Sequence, residues 1–271
     1  MGYWVDLNGD GRKDFVTARS NAKAGQGELL WFEHPKCGLD CDGAYWTEHI
    51  LGNVADVSIE VVTLPEYKDE VVVFSAHFFD EAIRMMRVST KDGSLISTTT
   101  IDDTEILSAY NVTMVDLNGD GNRQLMVNNH ETKDKLNGIW AYEFPKDPLT
   151  DPWSRQCIAS DFHNAFSITV PNMSPGFAYA VYPDTSVPKG RMNILVAGDG
   201  DHSAHMLYPS GDSAKFEYTN TIFKDAKGTV AAFETSDFDA DNMLEVWMPN
   251  YDKSYIEMFK MTKAEAAVYL Q

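Results

Sequence analysis

The stretch Asp6-Leu7-Asn8-Gly9-Asp10-Gly11-Arg12-Lys13-Asp14 carries side-chain oxygens at its first, third, fifth and ninth positions. Donors at that spacing suit a hard cation such as calcium, which gathers carboxylate, amide and backbone oxygens into one shell. Gly9 and Gly11 supply the positive-φ freedom that lets so short a loop curl its oxygens inward. The stretch returns nearly intact as Asp116-Leu117-Asn118-Gly119-Asp120-Gly121-Asn122-Arg123-Gln124, and again, without glycines, as Asp237-Phe238-Asp239-Ala240-Asp241-Asn242-Met243-Leu244-Glu245. The expected ligands are Asp6, Asn8, Asp10 and Asp14 with the Arg12 carbonyl in the first copy. In the second they are Asp116, Asn118 and Asp120, with Asn122 at the carbonyl position and a neutral Gln124 closing a weaker site. The third offers Asp237, Asp239, Asp241 and Glu245. An EF-hand is excluded, because its loop closes at the twelfth position between helices, whereas strand-like Tyr3-Trp4-Val5 and Phe15-Val16 flank this one. A metal-free, Asx-rich hairpin turn is the alternative.

A second set of chemical residues differs from copy to copy: Arg19-Ser20, His77-Phe78, His130-Glu131, Asp199-Gly200-Asp201-His202 and Asn250-Tyr251-Asp252, with Asp56, Asp103, Asp161 and His163 on the segments that follow. His77, His130 and His202 have the chemistry of general acids and bases, or of nitrogen ligands to a transition metal. Arg19 suits a carboxylate or a polarised carbonyl, and Asp56, His163 and Tyr251 complete the expected substrate-binding set. Local hydrogen bonding at a strand end is the alternative for each histidine taken singly. Their convergence depends on the elements that carry them.

Those elements repeat. Aligned on the closing residue of the loop, apolar strands follow Asp14, Glu70, Gln124, Asn193 and Glu245, at intervals of roughly 50 to 70 residues. A third strand is predicted in each unit, at Leu29-Leu30-Trp31-Phe32, Ile83-Arg84-Met85-Met86, Ile139-Trp140-Ala141-Tyr142, His205-Met206-Leu207-Tyr208 and Tyr255-Ile256-Glu257-Met258-Phe259. A fourth follows near Trp46–Ile50, Leu95–Thr98, Trp153–Ile158 and Phe216–Thr219, and the last unit would be completed by Lys263 to Tyr269. Four short strands per unit predict an all-β fold: one β-propeller of five blades, approximately 1–52, 53–104, 105–160, 161–225 and 226–271. The second and fourth units have lost the acidic loop, and in the fourth Lys189 stands where a cation would sit. Trp31, Trp46, Trp140, Trp153 and Trp247 recur at equivalent positions and are expected in the core between blades.

At 271 residues with 44% apolar content, the chain can bury a substantial core. A net charge of −19 and a pI near 4.6 argue against nucleic acid and anionic membrane as partners. They fit a secreted, extracellular protein whose leader would lie outside this sequence, or one whose carboxylates are partly neutralised by bound cations. Cys37 and Cys41 bracket a turn that a small disulfide can close, and Cys157 reads as an unpaired core residue. Asn111-Val112-Thr113 and Asn172-Met173-Ser174 are glycosylation sequons.

The two loops Asp6–Asp14 and Asp116–Gln124, with Leu30-Trp31-Phe32-Glu33-His34-Pro35 followed by Trp46 and His49-Ile50, resemble the FG-GAP/VCBS-repeat β-propellers, the blade type of integrin α-subunit heads and several fungal lectins. The Trp-Phe-Glu-His-Pro run is similar to fungal propellers of the aldos-2-ulose dehydratase type. The resemblance implies structural calcium in the loops and, on the opposite face, second-strand ends beside a central channel. It implies a protein that binds a carbohydrate or other small polar molecule, engages a protein partner, or acts as a lyase or dehydratase. Because the second-strand ends are unlike one another, one pocket per chain is expected rather than a lectin's repeated site. An enzyme is therefore the first expectation, with a lectin or interaction propeller second.

Overall fold

The computed structural model describes residues 2–20, 23–38, 45–132, 136–165 and 173–262. The described residues form strands and no α-helix, and the strands make five antiparallel sheets. Two compact units divide the chain, Met1–Thr113 and Met114–Gln271.

In the first unit, one sheet runs β1 (Gly2–Val5), β2 (Asp14–Arg19), β3 (Glu28–Glu33), β4 (Thr47–Gly52) and the next β5 (Ser58–Val62), β6 (Glu70–His77), β7 (Ala82–Ser89), β8 (Leu95–Asp102), each in sequential order. Strand β9 (Ala109–Val115) crosses into the second unit and heads a sheet completed by β10 (Gln124–Asn129), β11 (Gly138–Glu143) and β12 (Arg155–Ser160). A further four-stranded sheet holds β13 (Ala178–Val181), β14 (Asn193–Ala197), β15 (Ser203–Pro209) and β16 (Tyr218–Asp225). The last comprises β17 (Glu234–Ser236), β18 (Glu245–Asn250) and β19 (Tyr255–Lys260). The fourth strand expected there, Lys263 to Tyr269, lies outside the described residues.

Burial along each sheet follows side-chain type. Second strands are continuous apolar runs buried on both faces, as in Val71-Val72-Val73-Phe74 of β6 and Leu125-Met126-Val127 of β10. The outer strand β8, Leu-Ile-Ser-Thr-Thr-Thr-Ile-Asp, alternates half-buried with exposed residues, the period-two pattern of a strand with one wet face. The pairing of third with fourth strand slips by one residue at Leu29/Leu30, Ile83/Arg84, Ile139/Trp140 and Ala204/His205, a bulge repeated at the same place in four sheets.

In the first unit Leu7, Val16, Leu29, Trp31, Ile59, Val73 and Met86 pack into one core. In the second, Leu117 joins Ile139, Phe162, Ile194 and Phe216, and Leu195, Met206, Phe233 and Val246 form another cluster. The tryptophans depart from expectation. Trp31 alone of the five is core, whereas Trp46, Trp140, Trp153 and Trp247 are half-buried. Trp140, half-buried on the inner strand β11, lies under the Arg155 guanidinium of the neighbouring strand β12, 4.3 Å from its ring centroid. Cys157 is an exposed free thiol on the edge strand β12 and not a core residue. Cys37 is disulfide-bonded, and Cys41 lies outside the described residues. Asn111 is 4% exposed inside β9, so its sequon is closed to a glycan in the folded chain, while Asn172 is outside the described residues.

Candidate functional site

The three acidic loops share one hydrogen-bond scaffold. The first-position carboxylate accepts from the sixth residue's N–H: Gly11 N to Asp6 Oδ2 at 2.8 Å, Gly121 N to Asp116 Oδ2 at 2.8 Å, Asn242 N to Asp237 Oδ2 at 3.0 Å. The fifth accepts from the seventh, Arg12 N to Asp10, Asn122 N to Asp120 and Met243 N to Asp241, at 2.9, 2.8 and 2.9 Å. The ninth accepts from the second, Leu7 N to Asp14 at 2.9 Å, Leu117 N to Gln124 at 2.9 Å and Phe238 N to Glu245 at 2.6 Å. The backbone curl is common too. Gly9, Gly119 and Ala240 have φ of 71°, 66° and 59°, and Gly11, Gly121 and Asn242 of 83°, 89° and 70°. Loss of the glycines therefore leaves the third loop's shape intact, at the strain cost an alanine bears in the left-handed region. At Gly119 no side chain is tolerated, since a Cβ would lie 2.3 Å from the Gly190 carbonyl oxygen.

Charge separates the copies. Asp14 is fully buried and accepts one N–H at each oxygen, from Leu7 and from His34, yet among the described residues no cationic side chain pairs with it. A buried carboxylate without a counter-charge is costly, and a metal ion in the loop would supply one. Arg12 pairs with Asp10 only. In the second loop the buried closing residue is the neutral Gln124, while Asn118 Oδ1 is buried with no hydrogen-bond donor, an acceptor left over at a ligand position. These two loops fit a hard cation held by Asp6, Asn8, Asp10 and Asp14, and by Asp116, Asn118 and Asp120. The third loop brings oxygens of Asp237, Asp239 and Glu245 within 4.8 Å of one another, but it also holds the ammonium of Lys260. Lys260 Nζ lies 2.5 Å from Asp239, 2.7 Å from Asp241 and 3.4 Å from Glu245. Hydrogen bonds to Asp239 and then Asp241 hold that ammonium above the usual lysine range. Lys189, given this part in the sequence reading, is exposed and makes no ion pair among the described residues.

Of the other expected residues in the first unit, Arg19 is spent on its own sheet. Its guanidinium binds Glu28 at 2.6 Å and Glu48 at 3.0 Å, so no anion need recruit it. Asp56 is 4% exposed and ties two strand ends together, accepting from Ser20 Oγ at 2.9 Å and Phe79 N at 2.8 Å. His77 is 1% exposed with both ring nitrogens engaged. Arg84 donates to Nδ1 at 3.1 Å, which leaves Nε2–H to donate to Ser75 Oγ at 2.7 Å, and Ser75 donates onward to the Val54 carbonyl at 3.1 Å. A ring so enclosed reaches neither substrate nor metal; it is a structural histidine. Burial, then the Arg84 charge, lowers its pKa to about 4, below the ordinary value of 6.5. Since the folded state resists protonation, stability is full above about pH 6.5 and falls by about 3 kcal/mol as pH drops toward 4. Urea unfolding at stepped pH should show that loss in the wild type and a flatter dependence in His77→Gln.

The second unit does bring expected residues together. His130, just past β10, carries a proton at Nδ1 and donates it to the Pro175 carbonyl at 2.8 Å; its Nε2 faces Asp199 Oδ2 at 3.7 Å. Asp199 follows β14 in a left-handed conformation, φ 51°, with its N–H on the Val230 carbonyl at 2.8 Å. Burial raises the Asp199 pKa despite the nearby His130 and His202, and burial lowers that of His130. The proton affinities of the two groups are thus drawn toward each other. His202, half-buried at φ 61°, caps the same turn, and its charge acts on both Asp199 and Asp252. Asp252 is fixed by Thr229, whose N–H and hydroxyl donate at 2.7 and 2.9 Å. Beside it Tyr251 is 84% exposed. His163 is exposed, and its carbonyl accepts from Ser174 Oγ at 3.0 Å. Below the turn, Asp201 Oδ1 meets His205 Nε2 at 3.1 Å in a buried pair.

The sequence matches no family model and no curated protein. Asp199 and Lys260 are the residues that motif reading missed as individuals. The run Gly198-Asp199-Gly200-Asp201-His202 marked the first, two acids and a histidine in one turn. The second is set by cross-strand register, Glu245 opposite Lys260, which has no local signature.

Proposed function

We propose that the five sheets are blades of one β-propeller of the FG-GAP/VCBS type, with structural calcium in the first two loops, and that the His130–Asp199 pair transfers a proton on a sugar-like or other small polar substrate in a lyase or dehydratase reaction. The repeated sheet order and recurrent bulge support the blade reading. The functional reading rests on one observation: a half-buried carboxylate facing an imidazole nitrogen at 3.7 Å, with burial working against the charge on each. A carbohydrate-binding module without catalysis has no need of such a pair. Tyr251 offers an exposed ring on which a sugar face can stack.

In the elimination, the unprotonated pair takes the proton from a carbon next to a carbonyl. The C–H electrons become the new C=C bond, the C–O bond to the neighbouring hydroxyl breaks, and the leaving oxygen receives the same proton and departs as water. His202 and Asp252 bind and orient the hydroxyls, and the Pro175 carbonyl fixes the tautomer that carries its proton at Nδ1. The full chain incubated with polyhydroxylated carbonyl compounds in D₂O, followed by NMR, tests the reading. Loss of water or deuterium uptake at the carbon beside the carbonyl supports it. Binding without either points to a lectin-like module, and neither binding nor turnover across aldoses, ketoses and uronic acids overturns it.

A further inference from the structure

Metal loops repeated along a chain need not all take metal, and Lys260 gives the reason one does not. The third loop keeps the scaffold of the other two: the same first-to-sixth, second-to-ninth and fifth-to-seventh bonds, and the same left-handed backbone at Ala240 and Asn242. Its charge is greater than theirs, with carboxylates at the first, third, fifth and ninth positions. Glu245 is 2% exposed, and its Oε1 has no hydrogen bond of good geometry, its neighbour being the Lys260 ammonium at 3.4 Å; Asp237 Oδ1 is likewise buried without a hydrogen bond. Three carboxylates with oxygens within 4.8 Å of one another, and a fourth in the same loop, repel one another unless a cation sits among them. That cation is already in the chain. Lys260 lies across the strand pair from Glu245 and extends its ammonium to Asp239, Asp241 and Glu245 together. Among the described residues no side chain does this in the first two loops, where Arg12 pairs with Asp10. The loop differs in its anchor as well: Leu7 and Leu117 are fully buried at the second position, whereas Phe238 is 76% exposed. The third copy has ion pairs within the loop and lacks the buried apolar residue of the other two.

We infer that the Lys260 ammonium is a built-in substitute for the divalent cation in the Asp237–Glu245 loop, so that this loop is metal-independent and becomes a calcium site only when Lys260 is neutralised. The inference rests on the calcium reading of the loop type, and the test separates the two. Calcium stoichiometry is measured on the full chain by equilibrium titration and by native mass spectrometry, for wild type, Lys260→Met and Lys260→Arg. The expected result is one more bound ion per chain in K260M than in wild type or K260R, with a melting temperature that calcium raises more in K260M than in wild type. K260M that folds only when calcium is present is the same result in stronger form. Equal stoichiometry in wild type and K260M overturns the inference, and so does wild type already binding at the third loop, read as loss of an ion in Asp239→Asn. Should K260M and Lys260→Gln both stay unfolded even in calcium, a metal cannot replace the ammonium and the inference is wrong. Wild type without calcium and K260M with one ion would instead uphold the inference while removing calcium from the first two loops.

Discussion

Replacing Asp199 with Asn is expected to lower turnover about 10²–10⁴-fold, the range of general acid–base catalysis, while the melting temperature stays near that of wild type. Asn keeps the size of the side chain and the backbone bond from Asp199 N–H to the Val230 carbonyl. What it removes is the second proton acceptor facing His130 Nε2, so the pair no longer takes up the substrate proton. Because the interaction is made to the reacting atom, kcat should fall with little change in KM. His130→Gln should fall as far and the double variant little further, since the two act as one unit. A large rise in KM at unchanged kcat would make Asp199 a binding residue and remove the proton-transfer reading. His77→Gln should by contrast spare turnover and cost stability, because its ring is enclosed by Arg84 and Ser75.

Calcium removal is the second large effect. With affinity near 10⁻⁴ M, typical of extracellular modules, about 2 mM calcium stabilises a single-site fold by about 1.8 kcal/mol, so two loops together contribute about twice that. The first loop should respond more strongly, because the buried closing residue Asp14 is a carboxylate that no cationic side chain among the described residues pairs with, whereas Gln124 is neutral. Chelator should therefore lower the melting temperature of wild type, and Asp14→Asn should bring the wild type's response close to that of the second loop alone. An Asp6→Asn, Asp116→Asn variant should not respond at all. Melting curves superimposable with and without chelator would leave the loops as metal-free turns, their oxygens satisfied by the backbone N–H groups already described.

The loops were legible in the sequence because everything that defines them is local: a spacing of oxygens and two residues of positive φ. The strands were legible for the same reason, since period-two alternation in β8 and buried apolar runs in β6 and β10 are written in consecutive residues. The histidines were harder. Adjacent strand-end positions differ in which way a side chain turns, and His77 turned inward to Ser75 and Arg84 while His130 turned to Asp199; sequence gives the position of a strand end and not its neighbours. The partners of Arg19, Glu28 and Glu48, come from β3 and β4 and are fixed only by register, so its ion pairs could not be read locally. Lys260 illustrates the same limit, being one strand away from the loop that it neutralises.

The pairing of His130 with Asp199 is open to direct measurement without a substrate. An NMR pH titration of the His130 ring, in wild type and in Asp199→Asn, reads it at the atoms concerned. Burial lowers the pKa of this ring and the Asp199 carboxylate raises it. The wild-type imidazole should titrate below the ordinary histidine value, and loss of the carboxylate charge should lower its midpoint further. A midpoint at the ordinary value, unmoved by Asp199→Asn, would contradict the account.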